Sequence, residues 1–440
     1  MPALAPSTPR VVIVGGGAGG LELSTRLGDA LGRHRASVTL VERGLSHLWK
    51  PLLHQAAAGT LGPDEQALSY VAQSARHHFS FRLGAMDGLD RTRRLVHVAP
   101  TCDADGREIV PRRSVPYDIL VIAIGSRSTD FGTPGAAAHA VALDTEAQAQ
   151  LVQHRLLDAC IAAQTQAGAL RPEQLRLAIV GGGATGVELA AELHHATRAL
   201  AAYGLDRIDP ARGVRIELIE AAERLLPPLS PRLSRAAAAE LRRLGVHVRL
   251  NARVSAVHAD GVRTADGAFH PAELVIWAAG IKAPACLREL DGLDTNHANQ
   301  LRVGATLQST RDARVYALGD CAACPWPGHR DTVPPRAQAA HQQAALLVDQ
   351  IQRQLAGRPL RGFCYRDFGS LVSLGEHAAI GTLMGGLARG SLVVEGRLAG
   401  LAYWLLGRRH LYALHGLRRT VALTVAHALL RSAGPRVKLH

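Results

Sequence analysis

Cysteine is scarce in this chain: there are six in 440 residues, and none precedes Cys102. That is no disulfide framework, and it predicts a reducing compartment, with the cytoplasm as the default. Long hydrophobic runs are missing as well. None approaches the roughly 20 apolar residues of a membrane span, and the opening MPALAPSTPR lacks the apolar core of a secretory signal. Lysine is nearly absent, with Lys50, Lys282 and Lys438 set against 47 arginines, so each lysine stands out as a compositional exception. Finally, Gly396–His440 contains no acidic residue and eight Arg and Lys residues, so this segment carries eight of the thirteen net positive charges. Such a basic tail suits an anionic lipid surface, nucleic acid or a solvated helix face.

The remaining composition is that of an ordinary globular protein, and the length allows two or three domains with substantial cores. Its organisation is carried by glycine. In RVVIVGGGAGGLELSTRL an apolar strand at Val11–Val14 leads into glycines 15, 17 and 20 and then a helical pattern. In LAIVGGGATGVELAAEL the same order recurs, with a strand at Leu177–Val180 and glycines 181, 183 and 186. The first glycine of each set permits a tight turn, the second lets backbone approach a pyrophosphate, and the third lets helix and strand pack closely. Helix-start N–H groups and the helix dipole then hold the phosphates. Each loop leads on to a further strand ending in an acid, VTLVE at Glu42 and IELIE at Glu220, placed to meet a ribose hydroxyl. A carboxylate there repels the 2′-phosphate of NADP and favours NAD.

Three more segments extend the pattern. YDILVIAIGS (Tyr117–Ser126) and LVIWAAGIKAP (Leu274–Pro284) are strands ending in a small residue and glycine, as expected where a chain crosses between two domains. VYALGDCAA (Val315–Ala323) ends a strand in Gly319-Asp320. Asp320 can accept hydrogen bonds from a ribityl or ribose chain, cap a helix, or do both.

These loops and segments, in this order, resemble the two-dinucleotide-binding-domain flavoproteins over nearly the whole chain. The resemblance implies an α/β fold with two Rossmann-like domains, the second inserted in the first. Residues 1–126 and 281–345 would form an FAD domain, 127–280 an NADH domain, and 346–440 a C-terminal α+β, amphipathic-helix region for membrane association and dimerisation. It also implies non-covalent FAD at Gly15, Gly16, Gly17, Ala18, Gly19, Gly20, Glu42, Arg43, Gly125, Asp320 and Ala337. NADH would bind as substrate at Gly181, Gly183, Gly186, Glu220 and Gly280. No metal site is expected.

The electron acceptor is the open question. Disulfide reductases of this family carry a CxxxxC pair soon after the first acidic residue. Here that region reads GLSHLWKPLLHQAAAG, which excludes a dithiol relay fed from it. Cys321 and Cys324 form a lone CxxC, better suited to a structural role than to metal or redox work, with a regulatory thiol left open. PPRAQAAHQQA (Pro334–Ala344) reads as a helix start, with Gln338 and Gln342 on one face as neutral donors suited to a quinone carbonyl. On composition alone it is equally an ordinary Ala/Gln surface helix.

The run Ala337–Gln342, together with HLWKPLLHQAAAG, GGGATGVELAAEL, WAAGIKAP, FGSLVSLGEHAAIG and the terminal RVKLH, is similar to the bacterial type II NADH:quinone oxidoreductases. By that resemblance Gln338 and Gln342 line a quinone site, and Glu188 sits near nicotinamide and flavin rather than being a helix-surface residue. Lys50 is either a compact cation near flavin N5 or a solvated loop lysine. His54 reads as a hydrogen-bonding structural histidine, and Gln55 replaces a glutamate frequent in relatives.

The tail alternates apolar stretches with arginine pairs. Its longest uncharged runs, Leu398–Gly407 and Thr420–Leu430, are too short to span a bilayer. Two helices bearing Trp404, Leu405, Leu406, Val421, Leu423, Leu429 and Leu430 fit a membrane interface, with Arg408, Arg409, Arg418 and Arg419 toward anionic headgroups. A dimerisation pair is the other reading, and nucleic acid fits poorly because no recognition motif accompanies the charge. The expectation is therefore a peripheral, homodimeric flavoenzyme on the cytoplasmic face of the bacterial inner membrane. It would oxidise NADH and reduce ubiquinone or menaquinone without pumping protons. A reductase of a soluble acceptor and a redox-sensing binding protein are the alternatives.

Overall fold

The computed structural model describes residues 8–62, 67–103, 105–203, 214–375, 379–384, 391–433 and 437–438. The chain divides into two compact units. One comprises 1–49, 67–127 and 282–366; the other comprises 50–66, 128–281 and 367–440.

The first unit is built on a five-stranded parallel sheet. Its order is Val315–Ala317, Ile119–Ile122, Arg10–Val14, Ser37–Glu42 and Ser80–Leu83. The glycine-loop strand lies in the middle, with Val12 opposite Leu120 on one side and Thr39 on the other. Val11, Val12, Ile13 and Val14 are all buried, as are Leu120, Val121 and Ile122. Continuous apolar runs, rather than alternation, are what a sheet covered on both faces requires. The helices Ala18–Arg35 and Ala337–Leu355 pack on each other in this unit. They approach closely because Gly19 has no side chain: a Cβ there would meet Leu318 and Ala340.

The second unit repeats the plan. Its parallel sheet runs Ala140–Ala142, Leu274–Trp277, Arg176–Val180, Arg215–Ile219 and His247–Arg249, again with the glycine-loop strand central. Ala178 pairs with Val275 on one side and Glu217 on the other. The helix Glu146–Thr165 starts at a capping box, in which Thr145 and Gln148 satisfy each other's backbone amides. The helix Ala184–Ala202 is apolar and buried along most of its length. Residues 50–62, which the reading from sequence put in the first nucleotide domain, pack within this second unit. Their short helix Leu53–Ala57 lies against the helices Glu146–Thr165 and Ala184–Ala202.

The C-terminal part of this unit is an antiparallel meander, Gly369–Ser373, Ala379–Met384 and Ser391–Gly396, followed by the helical segment Arg397–Ala433. That segment is two helices broken at Gly416, whose φ of 70° is left-handed backbone that glycine adopts without strain. Arg408 Nη1 donates to Thr424 Oγ1 at 3.2 Å. Sixteen residues of unbroken helix would hold these groups about 24 Å apart, so the chain doubles back into a hairpin. Beyond it, Val437 is buried, the Lys438 amide donates to the Gly59 carbonyl at 2.8 Å, and the Lys438 carbonyl accepts from Gln153 Nε2 at 2.8 Å. Arg436, Leu439 and His440 of the RVKLH motif lie outside the described residues, as do Glu376–Ala378 of FGSLVSLGEHAAIG.

Candidate active site

The two glycine loops are built alike. Gly15 and Gly181 take φ of 103° and 113°, and a Cβ on either would run into the backbone of the neighbouring strand's end, at Ala123 and Ala278. A Cβ on Gly20 would fall on the Gly15 carbonyl oxygen, and one on Gly186 would fall on that of Gly181. Around the Cβ positions of Gly17 and Gly183 nothing lies within 4 Å, so each loop offers bare backbone at its helix start.

The acidic partners match as well. Glu42 Oε2 accepts from the Gly16 amide at 2.6 Å, and Oε1 accepts from the Arg43 amide at 2.8 Å. Glu220 Oε2 accepts from the Gly182 amide at 2.6 Å, and Oε1 from the Ala222 amide at 2.7 Å. Each carboxylate is thus oriented by the loop it serves. Arg224, four residues past Glu220, is committed to the carbonyls of Leu229 and Pro227, and Arg249 is paired with Glu217. Neither is a ready partner for a 2′-phosphate.

The first unit adds a second polar station. Gly319 and Asp320 form a tight turn after the strand Val315–Ala317, and Asp320 Oδ2 accepts from Ser126 Oγ at 2.7 Å. Leu318, not Asp320, occupies the cap position of this turn, so the capping reading gives way to a half-buried carboxylate held in place. Gly125 has φ of 69° beside it in sequence. Phosphate loop, ribose acid and turn acid therefore fit an FAD, all within one unit. Burial pushes the neighbouring Cys321 thiol up to about 12 and that of Cys324 to about 11, which disfavours the reactive thiolate. Among the described residues no group of three or more His, Cys, Asp or Glu could hold a metal ion.

The helix Ala337–Leu355 begins after Arg336, and its glutamines divide the work. Gln343, which the sequence reading passed over, is buried and accepts from the Gly319 amide at 2.7 Å. Gln342 donates to the Arg366 carbonyl at 2.8 Å and accepts from the Arg366 amide at 3.0 Å, so its amide is engaged at both ends. Gln338 lies half-buried one turn earlier on that face. His341, between them, places Nδ1 2.5 Å from Glu22 Oε2, and Glu22 also binds Arg26 at 2.9 Å.

The second unit holds the other candidates. Glu188, in the second turn after Gly183, is buried rather than on the helix surface. It accepts from the Ser373 amide at 3.1 Å and lies 3.6 Å from His54 Nδ1. Burial, the larger effect, pushes its carboxyl up to about 8, and Glu192 one turn on adds to that. Burial drives His54 down to about 4 against the pull of the Pro51 carbonyl. The Thr60 hydroxyl donates to Glu192. Lys50 is neither free in solvent nor alone: its Nζ lies 3.0 Å from Asp144 Oδ1, and Asp144 Oδ2 accepts from the Ser128 amide at 2.8 Å. No sequence signal pointed to Asp144, 94 residues away. Gly280, with φ of 65°, leaves room for Phe131, which a Cβ would strike.

This geometry can be set beside known proteins. A model of the pyridine nucleotide-disulphide oxidoreductase family matches residues 9–344. A type II NADH:quinone oxidoreductase of Haemophilus influenzae is 42% identical, over 98% of this chain and 99% of its own. The chain belongs to the type II NADH:quinone oxidoreductases. A Mycobacterium tuberculosis enzyme of that name is 29% identical over 95% of this chain and 86% of its own length. Among solved structures, NDH2 from Plasmodium falciparum in complex with NADH has a TM-score of 0.80 at 17% identity, over 98% of this chain and 100% of that one, which shows the shared fold. Membership in the type II NADH:quinone oxidoreductases accounts for two nucleotide loops in a chain that has no cysteine before Cys102.

Proposed function

We infer that this chain is an FAD-dependent oxidoreductase that oxidises NADH and reduces a quinone by two electrons, feeding a respiratory chain without pumping protons. The observation that carries this is the pair of matched glycine loops, one per unit, each closed by a fixed carboxylate, in a chain 42% identical end to end to an enzyme so named. FAD held there would supply the two-electron relay between NADH and quinone. The protein supplies placement and electrostatics. Gly15, Gly16, Gly17, Ala18, Gly19, Gly20, Glu42, Arg43, Gly125, Asp320 and Ala337 hold FAD; Gly181, Gly183, Gly186, Glu220 and Gly280 hold NADH. The Glu220 carboxylate and the engaged arginines near it favour NADH over NADPH.

Gln338 is the quinone-facing amide. Gln342, tied to Arg366, braces the end of that site, so that its contribution comes through the backbone it holds. Glu188 and Lys50 act near the nicotinamide, the first as a buried acid and the second through Asp144. The enzyme docks peripherally through Gly396–His440 on the cytoplasmic face of the bacterial inner membrane, as a homodimer, and takes ubiquinone or menaquinone. What supports docking is the exposed apolar set Leu398, Leu401, Trp404, Leu405, Val421 and Leu429 on a basic hairpin, with no helix among the described residues long and apolar enough to cross a membrane.

The test is reduction of a short-chain quinone by NADH with purified, flavin-loaded protein, run beside an acceptor screen. Rapid quinone turnover is expected. Good turnover with ferredoxin or a dye and none with quinone would replace this reading with that of a soluble-acceptor reductase. A stable charge-transfer complex without turnover would favour a redox sensor.

A further inference from the structure

The end of HLWKPLLHQAAAG and the terminal RVKLH come from opposite ends of the chain and meet in the second unit. The Lys438 amide donates to the Gly59 carbonyl at 2.8 Å, and the Lys438 carbonyl accepts from Gln153 Nε2 at 2.8 Å. Both main-chain groups of one tail residue are thus met by the body of the protein, with Val437 buried beside them. Gln153 and Gly59 are themselves buried, so a departing tail strands a donor and an acceptor that match one peptide unit. Glycine is what the approach requires at position 59. Its φ of 72° is left-handed, and a Cβ there would come within 3.0 Å of Gln153 Nε2 and 3.2 Å of the Lys438 carbonyl oxygen.

We propose that Gly59 and Gln153 form a peptide-binding seat for the last residues of this chain, and that the seated tail positions the segment Leu53–Leu61. Recognition is through the peptide main chain, as when one strand adds to another, with the apolar Val437 as the anchor. What the seat holds is specific. Gly59 lies just past the end of the helix Leu53–Ala57, and its amide donates to the Ala56 carbonyl at 3.0 Å. On one side of it, the Ala58 amide donates to the carbonyl of His54, whose ring faces Glu188 at 3.6 Å. On the other, the Thr60 hydroxyl donates to Glu192, one turn beyond Glu188. The tail therefore grips the segment midway between its two attachments to the nucleotide-binding helix. The consequence for turnover rests on the proposed place of Glu188 and Lys50 near the nicotinamide; the seat itself does not.

The experiment uses the full-length, flavin-loaded protein and reads amide hydrogen exchange over residues 53–61 by mass spectrometry. Lys438→Pro removes the N–H that reaches Gly59, and Gln153→Met removes the donor to the Lys438 carbonyl while filling a similar volume. In each, exchange over residues 53–61 should quicken about tenfold or more, while the strands Arg10–Val14 and Ile119–Ile122 of the first unit keep their wild-type rates. A chain ending at Arg436 should behave in the same way, and a synthetic Arg-Val-Lys-Leu-His peptide at millimolar concentration should restore slow exchange. The same peptide with proline in place of its lysine should not. Wild-type exchange in both substituted proteins would overturn the proposal, as would quickening spread evenly over the chain or equal rescue by the proline peptide. Should the shortened chain fail to fold, the two substitutions decide alone. Stopped-flow traces of the same variants should show flavin reduction by NADH slowed several-fold and flavin oxidation by quinone unchanged; equal slowing of both steps marks a merely structural loss and refutes the positioning role. If exchange quickens as expected while flavin reduction by NADH stays that of wild type, the seat stands and the proposed place of this segment near the nicotinamide falls.

Discussion

Glu188 Oε2 and His54 Nδ1 lie 3.6 Å apart in the interior, and burial works against charge on either. Burial raises the carboxyl to about 8 and lowers the imidazole to about 4, so both are neutral at pH 7. In the unfolded chain they titrate near about 4.3 and about 6.5. Between about pH 4.3 and 6.5 the two shifts oppose each other: the native state holds a proton on Glu188 that the unfolded chain has lost, while the unfolded chain holds one on His54. Between about pH 6.5 and 8 only the Glu188 difference remains. There the native state binds the extra proton, so stability falls as pH rises, by about 1.4 kcal/mol per unit. Denaturant titrations should show wild type losing about 2 kcal/mol relative to Glu188→Gln across that window. A constant gap between the two proteins would mean that Glu188 is ionised when folded.

Much of this was legible in the sequence, and the part that was not has a common cause. Glycines 15, 17 and 20 and Glu42 are local: turn, bare backbone, packing and acid follow from spacing along one strand–loop–helix unit, and the second copy repeats them. The partners of Lys50, Glu188 and Gln342 are Asp144, Ser373 and Arg366, each supplied by a distant or irregular segment that spacing cannot reveal. The break at Gly416 lay in plain view between two arginine pairs. What the sequence could not say is that the halves fold back until Arg408 meets Thr424.

Glu220 does two things at once, which decides how it should be tested. Replacing it with arginine would remove the acceptor of the Gly182 amide along with the charge. Glu220→Gln keeps one oxygen to accept from the Gly182 amide and removes the charge that repels a 2′-phosphate, while giving up the acceptor of the Ala222 amide. The ratio of kcat/KM for NADH to that for NADPH should narrow about tenfold, equivalent to about 1.4 kcal/mol. An unchanged ratio would take Glu220 out of cofactor discrimination.

The Lys50–Asp144 pair is half exposed on the lysine side, so its worth is modest. Lys50→Gln and Asp144→Asn should each cost about 1 kcal/mol of stability or less, with the double variant no worse than the poorer single one. The flavin midpoint potential separates the two roles open to the lysine. Equal small shifts in both variants fit action through Asp144, whereas a shift confined to Lys50→Gln would place the ammonium directly at the cofactor.

Deleting the tail would remove the packed side of the hairpin together with its apolar face, so a finer change is needed to test docking. Leu401, Leu405 and Leu429 are each more than half exposed. Changing all three to glutamine leaves the buried side of the hairpin intact. The triple variant should move from the membrane fraction to the soluble one with flavin content unchanged, since each exposed leucine that enters lipid contributes on the order of 1.5–3 kcal/mol. Retention on membranes would mean that another surface docks.

Gln338 and Gln342 share a helix face, and their replacements should fail differently. Gln342→Ala leaves the amide and carbonyl of Arg366 without their partner, which costs about 1–3 kcal/mol where water does not replace it. It should lower thermal stability and disturb both half-reactions to a similar degree. Gln338→Ala should leave reduction of the flavin by NADH near wild type, and slow the oxidative half-reaction with quinone about tenfold or more. Stopped-flow traces of the two half-reactions separate these cases. If Gln338→Ala slows the NADH step as much as the quinone step, its amide serves the fold and the quinone contact lies elsewhere.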